Sequence, residues 1–452
     1  MNTLSWKHQL LVGFTLFSMF FGAGNLIFPP QLGAAAGSHT WYAMAGLSLS
    51  AILLPILGVI AVVRYGSLDA LASQVHPTFS KIFTILIYLS IGPCLAIPRT
   101  ASTSFEMAIP PFLPSGTPTT WIQLGYSLVF FLLAFLIAFN PERLTSYLGR
   151  VLCPILLILI CIIFLGCLIH PLASYADPQP PYDFTPVIQG FLTGYQTMDA
   201  IAALNFGTVI VLNLQTLGVH ESKPVLSATI KAGLIACILF LLSYSMLAHI
   251  GAISGAAFLE TSNGATILTR LVQQIFGYFG TILLALIFII ACFNTCVGLI
   301  SCCSTYFHKL IPSLPYHIWA FLFALLSMVI SNAGLTQIMA FSVPVLNILY
   351  PPAIVLILLS FLPRFLSSHR AIYVGSISFT CLFSILYTIQ DLHALAPFTP
   401  EHPISHFTLL FHRFLNAIPL SDMGLGWVLP AMIGALVGLA LSLIWSDLRP
   451  KG

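Results

Sequence analysis

Phe21-Gly22-Ala23-Gly24-Asn25-Leu26-Ile27-Phe28-Pro29-Pro30 interrupts an apolar run that starts near Gln9. A run of about 20 apolar residues can cross a bilayer. This one carries two glycines, an asparagine and a proline pair from its middle onward. Glycine forms helix poorly, and proline withholds a backbone donor. A membrane helix opened here frees carbonyls that protein, water or an ion must satisfy. A tight glycine packing face on a proline-ended helix fits the same residues, and the glycines alone do not separate the two.

A second interruption falls at Gly194-Tyr195-Gln196-Thr197-Met198-Asp199, inside the apolar segment Val187–Leu212. Asp199 is the one acidic residue placed well inside such a segment. A carboxylate at that depth costs at least about 2.5–3.5 kcal/mol, so it needs a partner, a proton or a cavity. Acids in this setting mark ion or substrate routes. A neutral, hydrogen-bonded structural aspartate is the alternative.

Apolar segments recur along the rest of the chain. They lie near Gln9–Gln31, Trp41–Val63, Phe79–Ile97, Trp121–Phe139, Leu148–His170 and Val187–Leu212. The series continues near Leu226–Gly251, Ile275–Cys302, His317–Ser331, Leu335–Leu362, Ala371–Ile389 and Gly424–Trp445. The expectation is an all-α polytopic membrane protein of about twelve spans, 1–452 forming a single domain. Composition agrees: 58% of residues are hydrophobic and 6% charged, against about 25% charged in soluble domains. With the N-terminus inside, Arg99, Arg270 and Arg413 fall on outer segments and every other Lys and Arg on inner ones. That asymmetry is the positive-inside pattern, with both termini cytoplasmic. Lys7 before an apolar run and Ala34-Ala35-Ala36 after it imitate a signal peptide. The run is longer than a signal's apolar core and many spans follow, so it reads as span 1.

Other classes find little support. A net charge of +3 without a basic block offers nothing to nucleic acid. The cysteines sit mostly in apolar runs, and Cys302-Cys303 has no second pair at zinc spacing. No GxxxxGK[ST], HExxH or GxSxG signature occurs, so neither an enzyme nor an ATP-driven pump is indicated. The chain reads as needing no cofactor beyond a co-transported ion. Gly434 and Gly438 have the spacing of close helix packing.

Both interruptions head a block of five segments, 9–170 and 187–362, with 371–445 forming two further spans. Paired broken helices in corresponding positions point to a transporter site, and an odd number of spans inverts the second block. Half-helix N-termini suit a carboxylate, and the opposed carbonyl ends suit a cation. A zwitterion carried with a cation fits both. Arg99 and Glu106, seven residues apart, would share a face if span 3 continued past Pro98, as an outer ion pair that either staples a helix end or gates access.

Ser18-Met19-Phe20-Phe21-Gly22-Ala23-Gly24-Asn25-Leu26-Ile27-Phe28-Pro29-Pro30 closely resembles the first-helix signature of bacterial branched-chain amino acid:cation symporters, the BrnQ-type carriers. Further matches follow in register: Ile87–Pro93, Ala96–Ala101, Gly190–Leu192, Thr197–Ala200, Lys231–Ala236, Thr261–Ala265, Gly334–Gln337 and Ser342–Leu346. The resemblance implies two inverted five-helix repeats plus two C-terminal helices, the LeuT-like or APC-type fold. It implies sodium-coupled import of leucine, isoleucine and valine across the bacterial cytoplasmic membrane. Similarity to that wider fold puts the substrate carboxylate on backbone groups at Ala23, Gly24 and Asn25, with glycine at Gly22 and Gly24 letting the backbone come close, and the ammonium at carbonyls and hydroxyls near Tyr195 and Thr197; Asp199 is a further substrate-site candidate. Phe20, Phe21, Tyr88, Met198 and Phe206 are candidates for a dry side-chain pocket. Sodium would meet carbonyls of Ser18 and Phe21 and groups at Ala291, Asn294 and Thr295, although Asn294 stands where a hydroxyl residue is expected. A proton-coupled carrier with Asp199 holding the proton, and a channel, are the competing functions.

Overall fold

The computed structural model describes residues 5–114, 116–139, 145–170, 173–255, 264–363, 370–395 and 411–447. Every regular element among them is helical. In hydrocarbon a backbone has no water to bond, so helices that satisfy their own amides and carbonyls are the expected form. Eight described helices are long and apolar enough to cross a membrane, nine if Pro186–Tyr195 and Asp199–Thr216, bent by 48°, count as one. Tyr316–Ser331 and Val428–Ile444 are shorter apolar helices. Each of the expected apolar segments overlaps helical backbone.

The chain divides into two compact units, one of residues up to Arg64 with Ile87–Met339, the other of Tyr65–Leu86 with Ala340 onward. In the first unit, α1 (Trp6–Phe20) and α2 (Ala23–Ala36) are the halves of the first interrupted helix. Next come α3 (Thr40–Ser48) and α4 (Leu54–Tyr65), joined through a π-helical turn at Leu49–Leu53. The short α5 (Leu68–Ala72) and most of α6 (Pro77–Leu89), up to Leu86, belong to the second unit. Back in the first unit are α7 (Ala96–Ala108), α8 (Thr120–Ala138) and α9 (Cys153–Ile169). The second interrupted helix is α10 (Pro186–Tyr195) with α11 (Asp199–Thr216), followed by α12 (Ser222–Gly255). Then come α13 (Gly264–Leu310), broken in course at Gly277, and α14 (Tyr316–Ser331); α15 (Leu335–Leu359) starts in the first unit and runs mostly in the second.

Glycine lets the broken helices lie against their neighbours. A Cβ on Gly46 of α3 would overlap the Val187 carbonyl, and one on Gly190 of α10 the Ala43 carbonyl. Gly33 of α2 and Gly251 of α12 meet the Ala248 and Pro30 carbonyls in the same way. Packing of small residues, not water exclusion, holds helices together in lipid. By contrast, Leu128, Leu132 and Leu136 on α8 and Ile158, Leu165 and Ile169 on α9 are exposed apolar side chains, as a lipid-facing stripe requires.

In the second unit, the helix Arg370–Leu395 packs along Val428–Asp447. Gly434 and Gly438 make the close approaches, to the carbonyls of Gly375 and Ala371, so they are packing glycines. Arg370 Nε donates to the Val75 carbonyl at 3.1 Å.

One boundary is corrected. Span 3 was expected to end at Ile97. Instead the helix loosens through a π-helical turn at Ser90–Cys94, where Gly92 leaves helical geometry, and α7 runs on to Ala108. Pro98 lies in the first turn of α7, where no amide has an intrahelical acceptor, so its missing N–H costs nothing. Arg99, expected on an outer segment, is therefore a buried helical residue, 6% exposed. The Thr261-Ser262-Asn263 motif and residues 396–410 lie outside the described residues. Residues 411–416 are helical.

Candidate functional site

α1 ends at Phe20 because Phe21 turns to φ −73°, ψ 83° and Gly22 is extended. The Asn25 side chain then reaches back, Oδ1 accepting from the Gly22 amide at 3.1 Å. This is a cap from the third helical position, and it leaves the other first-turn amides of α2 without an intrahelical acceptor. Asn25 Nδ2 donates to Asp199 Oδ2 and to the Tyr244 hydroxyl, both at 2.5 Å. The two interruptions are thereby tied side chain to side chain.

The second interruption turns on Met198, whose φ of 68° is in the left-handed region. A non-glycine residue there is uncommon and strained by about 1–2 kcal/mol. Its turn starts α11 afresh at Asp199. The carbonyl end of α10 is met by Arg99: Nη1 donates to the Gln196 carbonyl at 3.0 Å and Nη2 to the Thr197 carbonyl at 3.3 Å. A guanidinium at a helix C-terminus offsets the negative end of its dipole. Thr197 Oγ1 donates to the Gly194 carbonyl at 2.8 Å.

Between the two breaks lies a tight cavity of about 20 Å³, room for about one water molecule. Its polar lining includes Asn25, Arg99, Thr100, Thr197, Asp199 and Thr295. Phe20, Ile91, Met198, Ala202, Phe206 and Leu299 form the apolar lining. Phe20 and Phe206 meet edge to face, centroids 4.8 Å apart. One carboxylate, one guanidinium and a greasy wall offer partners for both charges and the apolar body of a small zwitterion.

The family profile described as "Branched-chain amino acid transport protein" matches residues 5–445. The chain belongs to that family. Among its relatives, the branched-chain amino acid permease BraB of Bacillus subtilis is 42% identical over 446 residues, covering 98% of this chain and 97% of the relative. The branched-chain amino acid transport system 2 carrier protein of Pseudomonas aeruginosa is 37% identical, covering 97% of each. Solved structures share the fold at low identity. Mhp1, a nucleobase-cation-symport-1 family transporter, matches with TM-score 0.57 at 12% identity, over 98% of this chain and 93% of its own. A manganese transporter of Eremococcus coleocola matches with TM-score 0.56 at 14% identity, over 96% of each chain. The fold is thus the LeuT-like one expected, in a multi-pass membrane transporter.

The residues expected in this transporter's site divide by position. Gly22, Ala23, Gly24, Asn25, Thr197, Asp199 and Thr295 line the cavity, as do Phe20, Met198 and Phe206. Tyr88, Tyr195 and Phe21 are outside its lining. The Tyr88 ring stacks on Tyr306, centroids 4.0 Å apart. Tyr195 packs on Phe191, and Phe21 lies between Phe17 and Phe240. At the carbonyls after Tyr195, where an ammonium is expected, the Arg99 guanidinium donates instead. Asp199 is left as the acidic group facing the cavity.

Around the expected ion position, Asn294 Nδ2 donates to Ser18 Oγ at 2.7 Å. Asn294 Oδ1 and Thr295 Oγ1 are buried without a hydrogen-bond partner. Thr295 abuts the first break, its Oγ1 2.7 Å from where a Cβ on Gly22 would stand. Ala291 is fully buried on the same helix. Unpartnered buried oxygens cost about 1–3 kcal/mol each, and hard oxygens facing the loose carbonyl end of α1 suit an alkali cation.

Sequence reasoning missed Tyr244 and the placement of Arg99. Ser243-Tyr244-Ser245 is a polar cluster in an otherwise apolar segment, a usable signal for the first. For Arg99, Gly92-Pro93 marks a break after which a new helix can start, with Pro98 tolerated in its first turn.

Proposed function

We infer that this protein is a secondary active symporter that imports leucine, isoleucine and valine with sodium by alternating access. It works in the bacterial cytoplasmic membrane with both termini on the cytoplasmic side. Residues 9–170 and 187–362 are its inverted repeats, and 371–445 the added helices. The observation that carries this reading is the cavity between two interrupted helices, where Asp199 and the first-turn amides of α2 face a wall of Phe20, Met198 and Phe206. The amides of Ala23 and Gly24 receive the substrate carboxylate, Asp199 the ammonium, and the aromatic wall the branched side chain. A pocket of this kind separates side chains differing by one methylene by only about 1–3 kcal/mol, so all three branched substrates are accepted. The Ser18 and Phe21 carbonyls, with Asn294 and Thr295, hold the sodium ion. The names of the relatives support the substrate class.

Radiolabelled leucine uptake by proteoliposomes tests this. An inward sodium gradient drives accumulation, and replacing sodium with choline stops it. Accumulation under a pH gradient alone, lost in Asp199→Asn with leucine binding kept, would transfer the coupling role to a proton on Asp199. Equal uptake with no cation gradient would remove symport altogether.

A further inference from the structure

Arg99 has no place in the function inferred above, yet it reaches both broken helices. It stands in the first turn of α7, buried at 6% exposure. Its guanidinium donates to the last two carbonyls of the α10 end, at Gln196 and Thr197. Nη2 also lies 3.1 Å from the position a Cβ on Gly24 would take, against the first turn of α2. Arg99, Gly24, Thr197 and Asp199 line one cavity.

At mid-membrane, the carbonyl end of a half-helix is where a coupling cation is ordinarily held. Here the protein's own side chain is in that position. A guanidinium keeps its charge at all accessible pH and offers a planar fork of donors matched to carboxylates. We propose that Arg99 is a tethered cation that replaces a mobile ion at the α10 carbonyl end and binds the carboxylate of the carried amino acid. The carboxylate then lies between a fixed positive charge and the positive end of the α2 dipole. The Ser18, Asn294 and Thr295 cluster remains as the single mobile-cation point. This rests on the amino-acid reading above.

Ligand binding to purified full-length protein tests it, comparing leucine with leucinol, which keeps the ammonium and side chain but carries a neutral alcohol. Wild type binds leucine at least about 100-fold more tightly, the scale of one or two charge-assisted hydrogen bonds. Arg99→Gln cuts the preference for leucine over leucinol at least about tenfold, leaving what the α2 amides supply, while leucinol binding changes by less than about threefold. Arg99→Lys keeps part of the preference, because it keeps the charge but not the fork. Wild-type uptake rises hyperbolically with the driving cation. Wild type binding leucine and leucinol alike overturns the proposal without any variant. So does an Arg99→Gln protein of unchanged melting temperature that loses both ligands equally, which marks a structural staple. Sigmoidal cation dependence in wild type overturns the ion-replacing role. Absence of leucine binding by wild type overturns the substrate reading, and this proposal with it.

Discussion

Gly24 shows how little room a single position has. A Cβ there would stand 3.1 Å from Arg99 Nη2 and from Thr197 Cα, and 3.2 Å from Phe28. Two of those neighbours belong to the other side of the cavity, and one is backbone that cannot swing away. Gly24→Leu is therefore expected to lower proteoliposome leucine uptake at least about 100-fold, the loss expected when reacting groups are misplaced by about 1 Å. The protein should still insert, since the clash is confined to the cavity. Uptake within a few-fold of wild type would show that α2 does not approach α10 as described. Gly22, Gly24, Asn25 and Asp199 were legible in the sequence because glycine and a lone acid stand out in an apolar run. Tyr88 and Tyr195 misled because an aromatic near a break looks the same whether it faces a cavity or a neighbouring helix. Arg99 was illegible as a cavity residue while Pro98 was taken to end its helix.

Among the elements, the second interrupted helix depends on Met198 holding a left-handed backbone. A β-branched side chain there is a genuine outlier, so Met198→Val should cost about 1–2 kcal/mol beyond its change in volume. Met198→Leu, of similar bulk and unbranched at Cβ, should melt near wild type and keep uptake. Equal melting temperatures for the two variants would mean that the turn between α10 and α11 is not fixed at this residue. The existence and order of the helices followed from apolar runs of spanning length, and both interruptions from glycine and polar residues inside them. The π-helical turns and the run-on of α7 did not follow. They are set by packing between helices distant in sequence, such as Gly92 against Cys303 Sγ, where a Cβ would come within 2.8 Å.

For the whole molecule, substrate and ion should appear in each other's binding, since coupling between sites is reciprocal. A ligand at about 100 times its Kd stabilises the state that binds it by about 2.7 kcal/mol. Leucine should therefore raise the melting temperature of the detergent-solubilised protein in sodium, and much less in choline. Thr295→Val, which removes the unpartnered oxygen beside Gly22, should erase most of that difference while preserving the fold. A leucine-induced shift indifferent to sodium in wild type would disconnect the two sites. The class of the molecule was readable from composition, and its orientation expectation from charge. That the cavity would lie at the paired interruptions was readable too; which residues from other helices complete it, such as Arg99 and Leu299, was not, because that depends on packing between segments distant in sequence.

The glycine seams have a consequence for how such a carrier can diversify. Where Gly46 faces Val187 and Gly190 faces Ala43, any added methyl group wedges two main chains apart, so those sites are closed to drift. Phe206 and Met198 border hollow space and side chains, and trading them for other apolar residues reshapes the chamber alone. Appetite for a new cargo can thus be acquired at the walls without rebuilding the frame around them.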